Sequence, residues 1–224
     1  MSSRNILELP APPADKRLPY RSDPLQFGDL RLPPGPGPHP VVIVIHGGFW
    51  RAAYDLEHIG HLCAALTRAG VATWSLEYRR LGNPGGGWPG TLLDVGNGAD
   101  YLRTLAPTYR LDLTKVVAIG HSAGGHLALW LAARRRLPPG SALYTADPPP
   151  LRGVVSLAGV ADLRRAWELR LSSNVAATFL GGAPDEVPDR YKLASPIELL
   201  PLGVPQRLIH GAKDAIVPLE ISQN

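Results

Sequence analysis

Of its 224 residues the chain has one cysteine, one methionine and three phenylalanines. With Cys63 alone no intramolecular disulfide can form, which fits a reducing compartment, so the expected location is the cytoplasm. Cys63 falls in the helical pattern HLCAALTRAG and reads as a small buried apolar side chain. No apolar run is long enough to span a bilayer, and the opening MSSRNILELPAPPADKRLPY lacks the apolar segment of a signal peptide. Large blocks of one charge are missing too. The formal charge is +4, and the basic clusters Arg79-Arg80, Arg134 to Arg136 and Arg164-Arg165 are short and have no aromatics between them. They read as solvated faces and helix ends, so neither nucleic acid nor a membrane is an expected partner. There is no internal repeat. At 45% hydrophobic and 19% charged, residues 1–224 are expected to form one globular domain.

Glycine and proline are plentiful, at 24 each, and they punctuate the chain. In the proline-rich first forty residues, GDLRL is a candidate edge strand and PPGPGPHP a stiff loop. PVVIVIHGG then gives a continuous β-branched run, as expected of a strand buried on both faces. A helix follows over DLEHIGHLCAALTRAG, with Gly70 placed to end it. VATWSLEY reads as a strand, TLLDVGNGADYLRTLA as a helix weakened by Gly96 and Gly98, KVVAIG as a strand and AGGHLALWLAARRR as a helix. GVVSLAG and QRLIHG are the last strands. This alternation predicts a mostly parallel, doubly wound α/β sheet with helices on both faces. Residues 162–202 are too long for a plain crossover and read as a cap over the carboxyl edge of the sheet.

Gly120-His121-Ser122-Ala123-Gly124 sits where a buried strand gives way to a helix. A serine there is carried on a sharp turn at a positive helix N-terminus, with glycines relieving the crowding. The Ala123 N–H can face a developing oxyanion. The second part of such a site should come from a loop after an earlier strand, and His46 to Trp50, HGGFW, follows the first buried strand. Gly48 and Phe49 are the candidate N–H donors, with Gly47 and His46 supporting the loop.

HGGFWR, GHSAGGHLA and HGAKDAIVP resemble the α/β-hydrolase superfamily, and more narrowly its bacterial carboxylesterase and kynurenine-formamidase-like esterase branch. The similarity runs from about Tyr20 to the last residue. It implies a triad ordered serine, acid, histidine. Ser122 is the implied nucleophile and Asp214 the acid, with Asp162 as the runner-up.

The family pattern continues with a strand, a base-bearing loop and a closing helix. After Asp214 this chain has no histidine. On that reading the fold lacks its C-terminal strand and helix, and the natural protein is expected to continue by about 35–50 residues. None of the seven histidines is well placed as the base. His121 diverges from Ser122 in the turn, and His126, one helical turn on, packs beneath it. His210 belongs to the acid's loop, while His39, His58 and His61 read as solvated or packing residues.

The expected chemistry is hydrolysis of a small-molecule carboxylic ester through an acyl-enzyme. Amide hydrolysis, as in formamidases or prolyl-oligopeptidase-like peptidases, is the alternative within this class. A non-catalytic binding protein, given the absent triad histidine, is the alternative outside it. The chain as given is expected to be inactive or incomplete. No metal or organic cofactor is implied, and the sequence indicates no oligomeric state. Phe49, Trp50, Tyr78, Trp88 and Trp167 are candidates to line an apolar pocket.

Overall fold

A computed structural model describes residues 9–223. Seven strands are β1 (Lys16–Pro19), β2 (Phe27–Arg31), β3 (His39–Ile45), β4 (Ala72–Leu76), β5 (Leu111–His121), β6 (Gly153–Leu157) and β7 (Gln206–Ile209). They form one sheet in the order β1-β2-β4-β3-β5-β6-β7. The pairs β1–β2 and β2–β4 are antiparallel, and every other pair is parallel. GDLRL is therefore not at the edge. It lies in β2, inside the sheet, and the edge is β1, a four-residue strand ending in proline that alternation does not reveal.

Strand periodicity sorts the side chains to two faces. From β3, Val41, Ile43 and Ile45 enter a large core with Trp74 and Leu76 of β4 and Val116 and Ala118 of β5. Val44 of β3, and Ile119 of β5 beside it, face a smaller cluster built with Ile59 and Cys63. Helix α1 (Gly60–Arg68) covers that smaller side and ends just before Gly70, which has φ +95°. Cys63 is fully buried.

On the other side, α2 (Gly90–Asp100) and α3 (Leu102–Tyr109) follow one another, and α4 (Ala123–Ala133) packs on β5 and β6. Helix α2 runs unbroken through Gly96 and Gly98, and the Gly98 carbonyl accepts the Trp74 indole N–H at 2.8 Å. All eleven residues of α4 are buried, as expected of a helix apolar on every side.

Between β6 and β7, residues 162–202 hold α5 (Leu163–Glu168), α6 (Leu171–Leu180) and α7 (Pro188–Ala194). Phe179, Leu180 and Tyr191 of this segment are fully buried. Three of the four residues of β7 are exposed, among them Leu208 and Ile209, the latter at 59%, and among the described residues no strand pairs with its outer edge. Among the described residues no helix is long and apolar enough to cross a membrane.

Candidate active site

Ser122 occupies the single residue between β5 and α4, at φ 55° and ψ −121°. A left-handed serine is strained, and the surrounding structure must hold it there. Its N–H donates to Leu157 O at 2.8 Å, and its carbonyl accepts the His126 N–H at 3.1 Å. The turn is driven hard against the end of β3. A Cβ on Gly124 would overlap the carbonyl oxygens of Ile45 and His46, and one on Gly120 would overlap the Gly124 carbonyl. Ser122 is 9% exposed, so it lies recessed rather than open on the sheet edge as its turn suggests.

The loop after β3 lies beside this turn. A Cβ on Gly47 would come within 2.7 Å of His121 O and 3.1 Å of Ser122 Cβ. Gly48, Phe49 and Trp50 all have positive φ, at 106°, 50° and 54°. Hydrogen bonds on its far side hold the loop in this shape: Leu81 N–H to Trp50 O at 2.7 Å and Ala52 N–H to Leu81 O at 2.9 Å. Among the described residues the N–H groups of Gly48, Phe49 and Ala123 meet no protein acceptor.

Beneath the loop, the fully buried His46 ring stacks on Tyr78 with centroids 4.3 Å apart. Its Nε2 lies 3.2 Å from Glu77 Oε1. Glu77 also accepts the Leu56 and Tyr78 N–H groups and pairs with Arg80 at 2.9 Å. The Tyr78 hydroxyl donates to His46 O at 2.8 Å.

Two of the aromatic residues expected to line a pocket are core residues instead. Trp50 is fully buried, stacks on Phe179 at 4.6 Å and donates its indole N–H to His126 Nδ1 at 3.2 Å. Tyr78 is fully buried under the loop. Each satisfies its polar atom inside the protein, and neither ring reaches solvent. Phe49, Trp88 and Trp167 are half-buried around the same core.

His126 lies beneath Ser122. Its Nε2–H donates to Ala194 O at 2.9 Å, and with Trp50 on the other nitrogen the ring is a neutral tautomer fixed at both ends. Burial pushes its pKa down to about 4. Among the described residues no imidazole is hydrogen-bonded to Ser122 Oγ.

Asp214 follows β7. One carboxylate oxygen accepts the Ile216 and Val217 N–H groups at 2.8 and 2.9 Å, and the other lies 3.6 Å from His210 Nε2. The Val217 N–H, helped by that of Ile216, holds the carboxyl below the usual carboxylate range. His210 donates from Nε2 to Val217 O at 2.8 Å, and its Nδ1 meets Ser222 Oγ at 2.7 Å. The exposed His121 ring lies within reach of the Asp214 charge, which opposes the desolvation that lowers this imidazole's pKa. Asp162 caps α5 instead, accepting the Arg165 N–H at 2.9 Å.

Sequence reasoning did not find Glu77, Arg80 or His58. A carboxylate just past the buried strand β4, followed by two arginines, is the signal that would have pointed to the first pair. His58 lies on a surface turn, and only the fold brings it to the Gly47 N–H, at 3.4 Å.

The BD-FAE family model matches residues 29–224. No curated protein matches the chain. Among solved structures, a truncated form of a carbohydrate esterase from gut microbiota is 26% identical, with a TM-score of 0.76 over 94% of this chain and 83% of that one. Inhibited esterase B from Lactobacillus rhamnosis is 25% identical, with a TM-score of 0.79 over 93% and 69% of the two chains. Thermogutta terrifontis esterase 2, at 20% identity and a TM-score of 0.74 over 95% and 76%, shares the fold. With seven-eighths of its length matched by the family model, the chain belongs to the BD-FAE family and stands with the bacterial esterases of the α/β-hydrolase superfamily.

Proposed function

We propose that the chain is a serine hydrolase acting on small carboxylic esters through an acyl-enzyme. One observation carries the reading: a strained, recessed Ser122 faces a loop whose Gly48 and Phe49 N–H groups, with that of Ala123, have no acceptor among the described residues. Unsatisfied donors beside a strained serine suit a site that binds an oxyanion. Ser122 Oγ bonds to the ester carbonyl carbon while its proton passes to a triad imidazole, which no histidine among the described residues supplies at Ser122 Oγ. The oxyanion is held by the three N–H groups, and the alcohol leaves carrying that proton. Water then hydrolyses the acyl-enzyme by the same route.

Asp214 is the carboxylate that orients the imidazole, and His46, Gly47, Gly120 and Gly124 hold the two loops together. Residues 162–202 act as the cap, with Trp88 and Trp167 as pocket residues. The bacterial esterases to which the chain is similar support ester over amide substrates.

The test is covalent labelling with a fluorophosphonate, followed by peptide mapping, beside turnover of p-nitrophenyl acetate and p-nitrophenyl butyrate. The label should fall on Ser122, and Ser122→Ala should lower any turnover by about 10⁴-fold or more. Label on another residue with Ser122 unmodified would overturn the assignment. Specific binding of ester ligands without labelling or turnover would favour a non-catalytic binding protein, a reading that the missing Ser122–imidazole contact supports.

A further inference from the structure

We propose that His58 is a positioning residue for the oxyanion loop, its neutral imidazole accepting the Gly47 N–H and so fixing the peptide that abuts Ser122. The inference rests on the function proposed above.

Asp55 opens a short 3-10 turn over Leu56–Ile59, its carboxylate accepting the Glu57 N–H at 2.9 Å. The turn carries His58 back over its own start, where Nδ1–H donates to Asp55 O at 2.9 Å. That bond fixes the tautomer and leaves a lone pair on Nε2, the nitrogen 3.4 Å from the Gly47 N–H. The ring is boxed on two further sides. His46 meets it edge-on at 5.9 Å, and His121 at 6.1 Å.

The Gly47 N–H is taken up by His58, unlike those of Gly48 and Phe49, and its peptide is the first of the loop. Three consecutive left-handed residues follow, so a rotation at Gly47 would swing the Gly48 and Phe49 N–H groups together. The contact is long, and it is the acceptor that the Gly47 N–H finds among the described residues.

A proton on Nε2 would set N–H against N–H and release the loop. The groups facing the ring are the imidazoles of His46 and His121 and, on its own turn, Asp55. Beyond them Glu77 lies behind His46, and Asp214 acts on His121. Burial first, then the neighbouring imidazoles, hold His58 below the usual imidazole range, against the pull of Asp55. The acceptor is thus present at neutral pH.

The experiment compares His58→Leu, His58→Asn and His58→Gln with the parent protein. Glutamine places a carbonyl oxygen where Nε2 stands, asparagine is too short to reach, and leucine has no acceptor. With p-nitrophenyl acetate, leucine and asparagine should lower kcat by about 10- to 100-fold with KM changed less than about twofold, and glutamine should restore most of the loss. Equal kcat in all four proteins, equal loss in all three variants, or a loss confined to KM would overturn the proposal.

A second readout needs no turnover. In the parent protein the Gly47 amide nitrogen resonance should titrate with the His58 ring, and in His58→Gln it should be flat between about pH 4 and 8. A Gly47 amide indifferent to the His58 titration overturns the positioning role whatever the activity. A parent protein with a titrating Gly47 amide but no Ser122-dependent labelling or turnover would instead count against the proposed function alone.

Discussion

The serine turn and the Asp214 loop both leave the carboxyl ends of strands, yet they are held in opposite ways. The turn sits between β3, β5 and β6 at the middle of the parallel sheet, with backbone packed so closely that a single methyl group at Gly124 has no room. The Asp214 loop leaves β7 at the open edge. Ile216 within it is 66% exposed, and Gly211 has no atom within 4 Å of where a Cβ would stand. The proposed nucleophile and oxyanion donors are thus positioned by the core, whereas the proposed acid is positioned by its own short-range bonds from the Ile216 and Val217 N–H groups, with His210 3.6 Å away. A site can therefore combine one rigid half with one half that depends on whatever covers the edge.

The largest test of that contrast is Asp214→Asn. If Asp214 orients the base, kcat should fall on the order of 10⁴-fold with the fold intact. Asp162→Asn should change turnover less than about twofold, because asparagine caps a helix about as well as aspartate. Steady-state kinetics with circular dichroism on both variants decide it, and a larger loss at Asp162 would reassign the acid.

Next is Gly124→Ala against Gly211→Ala. The first should destabilise by about 4 kcal/mol or more, since the clash is with backbone. The second should lie within about 1 kcal/mol of the parent, on the stabilising side if anything, because alanine fits that open position and reduces the freedom of the unfolded chain. Urea unfolding of the pair measures both, and similar losses would erase the distinction between centre and edge.

The smallest effect is in acid. The folded chain keeps His126 neutral down to about pH 4, whereas an unfolded histidine gains its proton near 6.5. The unfolded state then binds more protons between those values. Stability should fall by roughly 3 kcal/mol as the pH drops across that window, with His58 and His121 pulling the same way. Asp214 behaves differently. Its carboxyl is depressed from an ordinary value of 3.8, so its contribution persists above that value and is lost only as the pH falls through its still lower folded pKa. Acid should therefore loosen the centre before the edge. A urea midpoint unchanged from pH 7 to pH 4 would contradict the buried neutral His126.

The parts of this molecule readable from sequence are those governed by local pattern. The β-branched run of β3, the strand-to-helix turn at Ser122 and the helix stop at Gly70 each carry their reason within a few residues. The edge strand β1 has no such pattern, because four residues ending in proline look like loop. Trp50 and Tyr78 were read as pocket residues because an aromatic side chain suits a pocket or a core equally well. His126 and Phe179, both distant in sequence, show that Trp50 belongs to the core. Glu77 and His58 were missed for the same reason, since their partners at His46 and Gly47 are distant in sequence.

Residues 162–202 touch the loop after β3, the segment before α2 and α4 at several separate points. Phe179 stacks on Trp50 and takes the Trp88 N–H, Arg51 reaches Ser172 O, and Ala194 O takes His126. These contacts fasten the segment on several sides. If residues 162–202 cap the site as proposed, such a segment would be the fixed rim of a funnel, and would select molecules by girth as they arrive. Entry would then be a matter of fit at first encounter, with no waiting time for an opening, so encounter rates across a series of acyl chains should drop abruptly at one width rather than decline by degrees.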